Sequence, residues 1–380
     1  MFVETLTRAL ASSGGAEAIE PSVVTPRVHK NDAAREVRHG VKVQRFMYPS
    51  GGRRLKEVAR PSMAALAAYV ASGTAALLKE THLRAAHVVL CHWALPCGPI
   101  AATASIVLRV PFLVIAHGSD ISRHARAGPM AWAARWALSK ARCVAAVSAD
   151  LRRKIEHLGL LPSGTGASVR VVPMGVDSSL FLPSLSWLRD RLDARARLGI
   201  KRDAALLLFV GDLAPEKGVL DLLEALGLLR LRGFEVETAL AGSGMLKPLL
   251  EKKASESRLR VLGRVSQADL VTWHRAADLL VLPSHSEGAP VAVMEALASG
   301  LPVVATRVGG LSELVLDGVT GWLVPSRDPA SLSREIERLL GDPGLLAGAR
   351  RTLAESPCDF GVERRAREYR ALLEEVVHGA

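Results

Sequence analysis

The stretch Leu279-Leu-Val-Leu-Pro283-Ser-His-Ser-Glu287-Gly-Ala-Pro290-Val-Ala-Val-Met-Glu295-Ala-Leu-Ala-Ser-Gly300 decides how the rest of the chain is read. An apolar run ends at Pro283, a polar loop follows, and a helix is expected from Pro290, where a proline suits the first turn. Gly300 is placed to end that helix. A strand, a loop and a helix in this order belong to an open α/β sheet, whose ligands sit beyond the carboxyl ends of its strands. The helix start presents free N–H groups and a positive dipole end, which suit a diphosphate. Glu295 lies about one and a half turns into the helix and Glu287 lies in the loop. By position alone the pair is no more than a loop acid and an exposed helical acid.

Outward from this stretch, short apolar runs alternate with helical ones. Strands are expected at Val41–Phe46, His87–Cys91, Phe112–Ala116, Cys143–Val147 and Val169–Val172. In the second half they are expected at Leu206–Val210, Val236–Leu240, Leu259–Leu262, Leu279–Leu282 and Pro302–Ala305. Helices are expected at Val219–Arg230, Pro290–Ser299 and Val362–Val377. This alternation argues for parallel sheets covered by helices on both faces. Two such halves give two Rossmann-like domains, at 1–178 and 204–360, with an irregular linker at 179–203 and a terminal helix at 361–380.

The chain has 380 residues, too many for one ordinary core. With 49% hydrophobic and 23% charged residues it is globular. No apolar run reaches the roughly 18 residues needed to span a bilayer. The start lacks a basic region followed by an apolar core, so no signal peptide is expected. Four cysteines (Cys91, Cys97, Cys143, Cys358) form no disulfide framework, which fits a reducing cytoplasm. Residues 1–190 hold 24 Lys and Arg against 12 Asp and Glu, whereas residues 191–380 hold 25 against 26. The positive charge therefore belongs to the first half, with clusters at Arg53, Arg54, Lys56 and Arg60 and at Arg152, Arg153 and Lys154. Two readings follow: a solvated surface, or attraction to an anionic acceptor or to the inner face of a membrane. Few aromatics and no recognition motif argue against nucleic acid. Cys91-His92 with Cys97 lacks a second pair of ligands, so no metal is expected.

The segment from Pro283 through Pro325, PSHSEGAPVAVMEALASGLPVVATRVGGLSELVLDGVTGWLVP, resembles the signature of glycosyltransferase family 4, including its pair of glutamates eight apart. The resemblance implies a GT-B fold, with two Rossmann-like domains whose parallel sheets face each other across a cleft. It implies a retaining transfer of a hexosyl unit from a UDP- or GDP-sugar, without a cofactor or metal. Glu287 would hold the sugar hydroxyls and Glu295 the ribose, while Gly288, Ala289, Pro290 and Val291 would offer backbone to the diphosphate. Leu208-Phe-Val-Gly211-Asp-Leu-Ala-Pro-Glu-Lys217-Gly218 resembles the loop that grips the phosphates, with Lys217 pairing them as they leave. The family usually has Arg where this chain has Asp212, which removes one phosphate cation. Gly242 and Gly244 resemble the glycine turn after the domain's second strand, and Arg264-Val265 the loop that reads the base.

In the first half, Cys91-His92-Trp-Ala-Leu-Pro-Cys97-Gly98 and Ile115-Ala-His117-Gly118-Ser-Asp120 resemble the family's acceptor-side domain. The resemblance places His117 near the donor sugar, with Asp120 orienting it or touching an acceptor that is lipid-linked or a polysaccharide precursor. Thr5–Ala11 and Ser22–Arg27 resemble the end of the family's first helix and its second strand. The opening strand and glycine loop are missing ahead of them, and Gly14-Gly15 imitates that loop after the helix. A sheet without that strand would carry unpaired edges. Two other readings compete with transfer: a hydrolase using Glu287 and Glu295 as acid and base, and a non-catalytic relic of the fold that acts as a binding partner.

Overall fold

The computed structural model describes residues 2–12, 18–29, 31–49, 51–52, 55, 62–122, 128–161, 168–184, 186–254, 258–356 and 359–379. Gly14, Gly15, Arg53, Arg54, Lys56, Arg60 and Cys358, singled out by sequence, lie outside these residues. The chain divides into two compact units, residues 1–175 with 362–380, and residues 176–361.

The strands run in chain order β1 (Ser22–Pro26), β2 (Arg35–Arg38), β3 (Val41–Phe46), β4 (Val89–His92), β5 (Phe112–Ala116), β6 (Cys143–Ala146), β7 (Ser168–Val171), β8 (Ala205–Val210), β9 (Val236–Ala241), β10 (Leu259–Gly263), β11 (Leu279–Leu282), β12 (Val303–Thr306) and β13 (Gly321–Val324). All ten strands expected from the sequence form, with ends shifted by a residue or two.

In the first unit the strands form two separate sheets, ordered β1-β3-β2 and β4-β5-β6-β7. Among the described residues, β1 pairs only with β3, and β4 only with β5. Among the described residues β1 and β4 are therefore edge strands of two separate sheets. The sheets are not wholly parallel: β2 runs antiparallel to β3. Its sequence, Arg-Glu-Val-Arg, is largely exposed and carries no apolar alternation, so nothing marked it as a strand. The helix Met63–Leu83 packs on β1 and β3 and also on the helix Cys97–Leu108. A core of Phe46, Tyr48, Tyr69, Ala76 and Ile100 lies at this junction. Gly73 leaves room there, since a Cβ would press on the tip of Ile100 and the Phe46 ring.

The terminal helix, Val362–His378, was expected as a separate element, but it belongs to the first unit. It packs along the helix Phe2–Ser12, and the buried Tyr369 donates its hydroxyl hydrogen to the Val172 carbonyl at 3.1 Å.

The second unit has one sheet of six parallel strands, ordered β10-β9-β8-β11-β12-β13. The chain builds outward from β8 to β10, then returns to β8's other side for β11 to β13. The reversal lies between β8 and β11, where Leu207 and Leu208 face Leu279 and Leu280 in register. Crevices for ligands form at such reversals, beyond the strands' carboxyl ends.

The stretch 179–203 is not a free linker. It contains the helix Trp187–Leu198, which packs on the helix Gln267–Ala276. Arg195, 1% exposed, donates to the carbonyls of Ala276 (2.9 Å), Arg202 (2.7 Å) and Ala204 (2.7 Å). It also pairs with Asp278 at 2.8 Å, and the same Asp278 oxygen accepts the Leu206 N–H. Arg191 takes the other oxygen at 2.8 Å. Arg350, buried nearby, lies over the Trp187 ring at 5.0 Å and donates to the Ala277 carbonyl. The charged helix read as a connector is thus a wall of the second unit, held by buried arginines. Removing one partner of a buried pair strands the other, at a cost of about 3–5 kcal/mol. Arg195→Met should therefore lower the second unit's unfolding free energy, read from urea denaturation, by about that amount. Arg197→Met on the same helix should leave it nearly unchanged.

Candidate functional site

Two loops meet at the reversal between β8 and β11. The first leaves β8 through Gly211 and Asp212 and closes a short 3-10 turn, Pro215–Lys217, before the helix Val219–Leu231. The second leaves β11 through Pro283 and reaches the helix Val291–Ala298. They are pressed together at Gly218, whose φ is +66°. A Cβ at that position would collide with the Pro283 carbonyl, so only glycine fits. The His285 N–H donates to the Glu216 carbonyl at 2.9 Å, and the His285 ring contacts Asp221 at 2.8 Å.

This approach sets Lys217 against Glu287. The Lys217 ammonium donates to Glu287 Oε1 at 2.7 Å, and the Ser284 hydroxyl donates to the same oxygen at 2.7 Å. Glu287 is nearly buried, with 7% of its side chain exposed, while Lys217 keeps 25%. The Glu287 carboxylate thus holds a partly exposed cation in place. Gly309, at φ +54°, lets the following loop close on Glu287, since a Cβ there would meet the Glu287 carbonyl. The Gly310 N–H then donates to the Gly288 carbonyl at 3.1 Å.

The helix Val291–Ala298 starts at Pro290 with no side-chain cap. The N–H groups of Gly288, Ala289, Val291 and Ala292 have no hydrogen-bond partner among the described residues. Unpaired N–H groups at a helix start, next to a held lysine, are suited to an anion. Glu295 sits deeper in the same helix and is 3% exposed. Its carboxyl accepts no hydrogen bond among the described residues, and burial pushes it up to about 8. The exposed-acid reading of Glu295 is thereby corrected: the acid is buried and is held largely protonated near neutral pH.

The remaining donor-side positions gather at the same edge of the sheet. Gly211 donates to the Ala241 carbonyl at 3.0 Å, and Gly242 to the Gly263 carbonyl at 2.7 Å. Side chains at Gly242 and Gly244 would strike the carbonyls of Gly211 and Leu213. These glycines let the loops after β8, β9 and β10 stack on one another. Val265 packs against the core and Arg264 is exposed, just beyond β10. Asp212 is exposed beside Gly211.

In the first unit, His117 follows β5 and His92 ends β4. His92 Nδ1 lies 3.1 Å from His117 Nε2, and the Trp93 ring stacks on His117 at 4.6 Å. Burial lowers His92 to about 4 and drives His117 well below its usual range, with His92 contributing to the latter. Both rings are therefore neutral near pH 7. Trp93 adopts φ +71°, a strained conformation for a bulky residue. Sequence reasoning named His117 but not His92 or Trp93 as parts of the site. The signal was the alignment of two adjacent strand ends, which becomes visible only with the β4–β5 register. Asp120, expected to orient the His117 ring or touch an acceptor, is 2% exposed. It accepts the N–H groups of Ala94 (2.7 Å), Gly118 (2.8 Å) and His117 (3.1 Å), so it fixes the backbone of the loop that carries His117. Burial raises its carboxyl to about 6 against those hydrogen bonds. Cys91 and Cys97 stay thiols, pushed up by burial, Cys97 to about 11. No group of three or more potential metal ligands occurs among the described residues.

Two units of this kind, one ending in a crevice at the reversal of its sheet, define an α/β protein of the GT-B class. Family models agree with both halves. The model described as Glycosyltransferase Family 4 matches residues 1–180, and the one described as Glycosyl transferases group 1 matches residues 204–342. The chain belongs to glycosyltransferase family 4. It is 39% identical over 241 residues to a D-inositol 3-phosphate glycosyltransferase of Thermomonospora curvata, covering 59% of this chain and 55% of that protein. It is 32% identical over 280 residues to a Bacillus subtilis protein described as a teichuronic acid biosynthesis glycosyltransferase, TuaC, covering 73% and 66%. The chain spans about half the length of the first of these relatives. A sucrose-phosphate synthase of Thermosynechococcus elongatus shares the fold with a TM-score of 0.79 at 21% identity, covering 100% of this chain and 93% of that one. The Anabaena protein HepE, solved with UDP, does so with a TM-score of 0.68 at 22% identity, covering 89% and 87%.

The state of Glu295 has a measurable consequence. In the fold its carboxyl is neutral up to about pH 8, whereas in the unfolded chain it ionises above about 4.5. Its contribution to stability therefore falls as pH rises between those values. Glu295→Gln should remove that fall. Unfolding by urea across the same range should show the variant gaining on the wild type toward pH 8, by 1 kcal/mol or more.

Proposed function

We propose that this chain transfers a hexosyl unit from a nucleoside-diphosphate sugar to an acceptor hydroxyl, with retention at the anomeric carbon. The observation that carries the reading is the Lys217–Glu287 contact at 2.7 Å, set beside the uncapped start of the helix Val291–Ala298. A departing diphosphate develops charge, and prepositioned cations and backbone N–H groups stabilise it most where that charge appears. Lys217 and the N–H groups of Gly288, Ala289 and Val291 supply both. Glu295 would accept hydrogen bonds from the ribose hydroxyls, whose approach offers its buried carboxyl polar partners. Arg264 and Val265 would border the base. Glu287 would bind sugar hydroxyls while it holds Lys217.

In the reaction the bond from the anomeric carbon to the diphosphate oxygen breaks and a bond to the acceptor oxygen forms. The acceptor's proton passes to the departing diphosphate, on the face from which it leaves. Carboxylate-driven hydrolysis is disfavoured because Glu287 is tied to Lys217 and Ser284, and Glu295 is buried. No metal ion is assigned a part. On the acceptor side we assign His117, steadied by His92 and Trp93. The acceptor is read as a phosphate-bearing or lipid-linked polysaccharide precursor used at the inner face of a membrane. The basic first half and the naming of a relative for inositol 3-phosphate support this. Among the described residues no helix is long and apolar enough to cross a membrane.

Transfer from UDP-glucose, UDP-N-acetylglucosamine and GDP-mannose, followed by release of nucleoside diphosphate, tests the reading. With the accepted donor, Lys217→Ala and Glu287→Gln should each lower kcat by about 100-fold or more, and proton NMR should show the product's anomeric configuration unchanged. Full activity in Lys217→Ala, or an inverted product, would contradict it.

A further inference from the structure

The helix Gly128–Lys140 follows β5 and buries Ala131, Ala134, Ala137 and Leu138. Its opposite face carries Trp132, which is 69% exposed, and the half-buried Trp136. One turn apart, their rings lie parallel within 8°, with centroids 6.4 Å apart. Side chains of this size are rarely left in water, and a stacked pair on a convex helix face is not a pocket for a small ligand. Arg135 and Lys140 stand on the same helix. From Ile121 to Ala149 the sequence holds five Lys and Arg (Arg123, Arg126, Arg135, Lys140, Arg142) and no Asp or Glu.

Arg135 also donates to the Leu158 carbonyl at 3.1 Å, at the end of the helix Ala149–His157. That helix brings Arg152, Arg153 and Lys154 alongside. Arg152 and Lys154 are partly offset by Glu156 and Asp150, at 2.9 and 2.6 Å, and Arg153, 69% exposed, reaches Asp150 at 3.9 Å. Tryptophan prefers the boundary between headgroups and acyl chains, and clustered cations prefer an anionic leaflet.

We infer that the helix Gly128–Lys140 is a membrane-docking element, in which the Trp132–Trp136 stack enters the headgroup layer of an anionic bilayer and the flanking cations face its lipids. What this docking serves, delivery of a lipid-linked acceptor, rests on the transfer reading above. The docking itself does not. A glycan partner fits less well, since a neutral saccharide gives the exposed cations Arg135, Lys140 and Arg142 nothing to meet.

The full chain is tested by sedimentation with two vesicle types, phosphatidylcholine alone and phosphatidylcholine mixed with phosphatidylglycerol, at low and high salt. Wild type should bind the mixed vesicles, more weakly as salt rises, and should leave the neutral ones largely unbound. Its tryptophan emission should shift to the blue and be quenched by lipid brominated near the headgroup. Trp132→Ala combined with Trp136→Ala should lose about tenfold or more in partitioning although every charge is kept. Trp132→Ala alone, at the more exposed position, should lose part of it. Unchanged far-UV circular dichroism and UDP binding in these variants would show that the fold persists. Equal partitioning of variant and wild type overturns the inference. So does absence of wild-type binding to the mixed vesicles, including binding to a soluble glycan instead. Vesicle binding by a wild type that binds no nucleotide would leave this inference standing and remove the transfer reading.

Discussion

The second unit is organised around one ion pair, Lys217 to Glu287, formed across the reversal of its sheet. The pair exists because β8 and β11 are neighbours and because Gly218 lets their loops touch at the Pro283 carbonyl. A longer side chain at Gly218 would push the loops apart, and the ammonium would lose its carboxylate. The Ser284 hydroxyl and the close approach of Gly309 fix Glu287 in turn. Holding a lysine beside bare helix N–H groups costs nothing further when an anion arrives, since the dipoles are already aimed. Glu295, one and a half turns inside the same helix, is the complementary case. It is a buried acid with no partner until a hydroxyl comes, and burial keeps its proton on.

Much of this could be read in the sequence. The apolar runs around Leu206 and Leu279 and the two glutamates marked the sheet and its crevice, because parallel strands are buried on both faces and read as continuous apolar segments. Three features could not be read. The exposed strand β2 shows no apolar alternation, and its pairing with β3 is supplied by backbone alone. The strand β13 is four residues long and borrows its register from β12. The helix Trp187–Leu198 looks like a solvated connector because its anchors are arginines. Only the structure shows Arg195 buried on four carbonyls and Asp278. Charge in a sequence is ordinarily a mark of exposure, and a satisfied buried guanidinium breaks that rule.

Two local features bear on the first loop and the first unit. Asp212 places an exposed carboxylate beside Gly211. In the first unit the helix Met63–Leu83 packs on β1 and β3 and on the helix Cys97–Leu108, with Phe46, Tyr69 and Ile100 clustered at the junction. The site residues His92, Trp93, His117 and Asp120 all belong to the strand ends and loops of the four-stranded sheet, and Cys97, which ends the loop after His92, lies 3.8 Å from the Tyr69 hydroxyl of that junction.

Calorimetric titration of the 380-residue chain with UDP and with GDP tests the central claim most directly, when wild type is compared with Lys217→Ala. One nucleotide should bind the wild type, and the substitution should weaken it by about tenfold or more, roughly 1.4 kcal/mol. A folded wild type that binds neither, or a Lys217→Ala variant that binds as tightly as wild type, would show that the Lys217–Glu287 pair is not a diphosphate site.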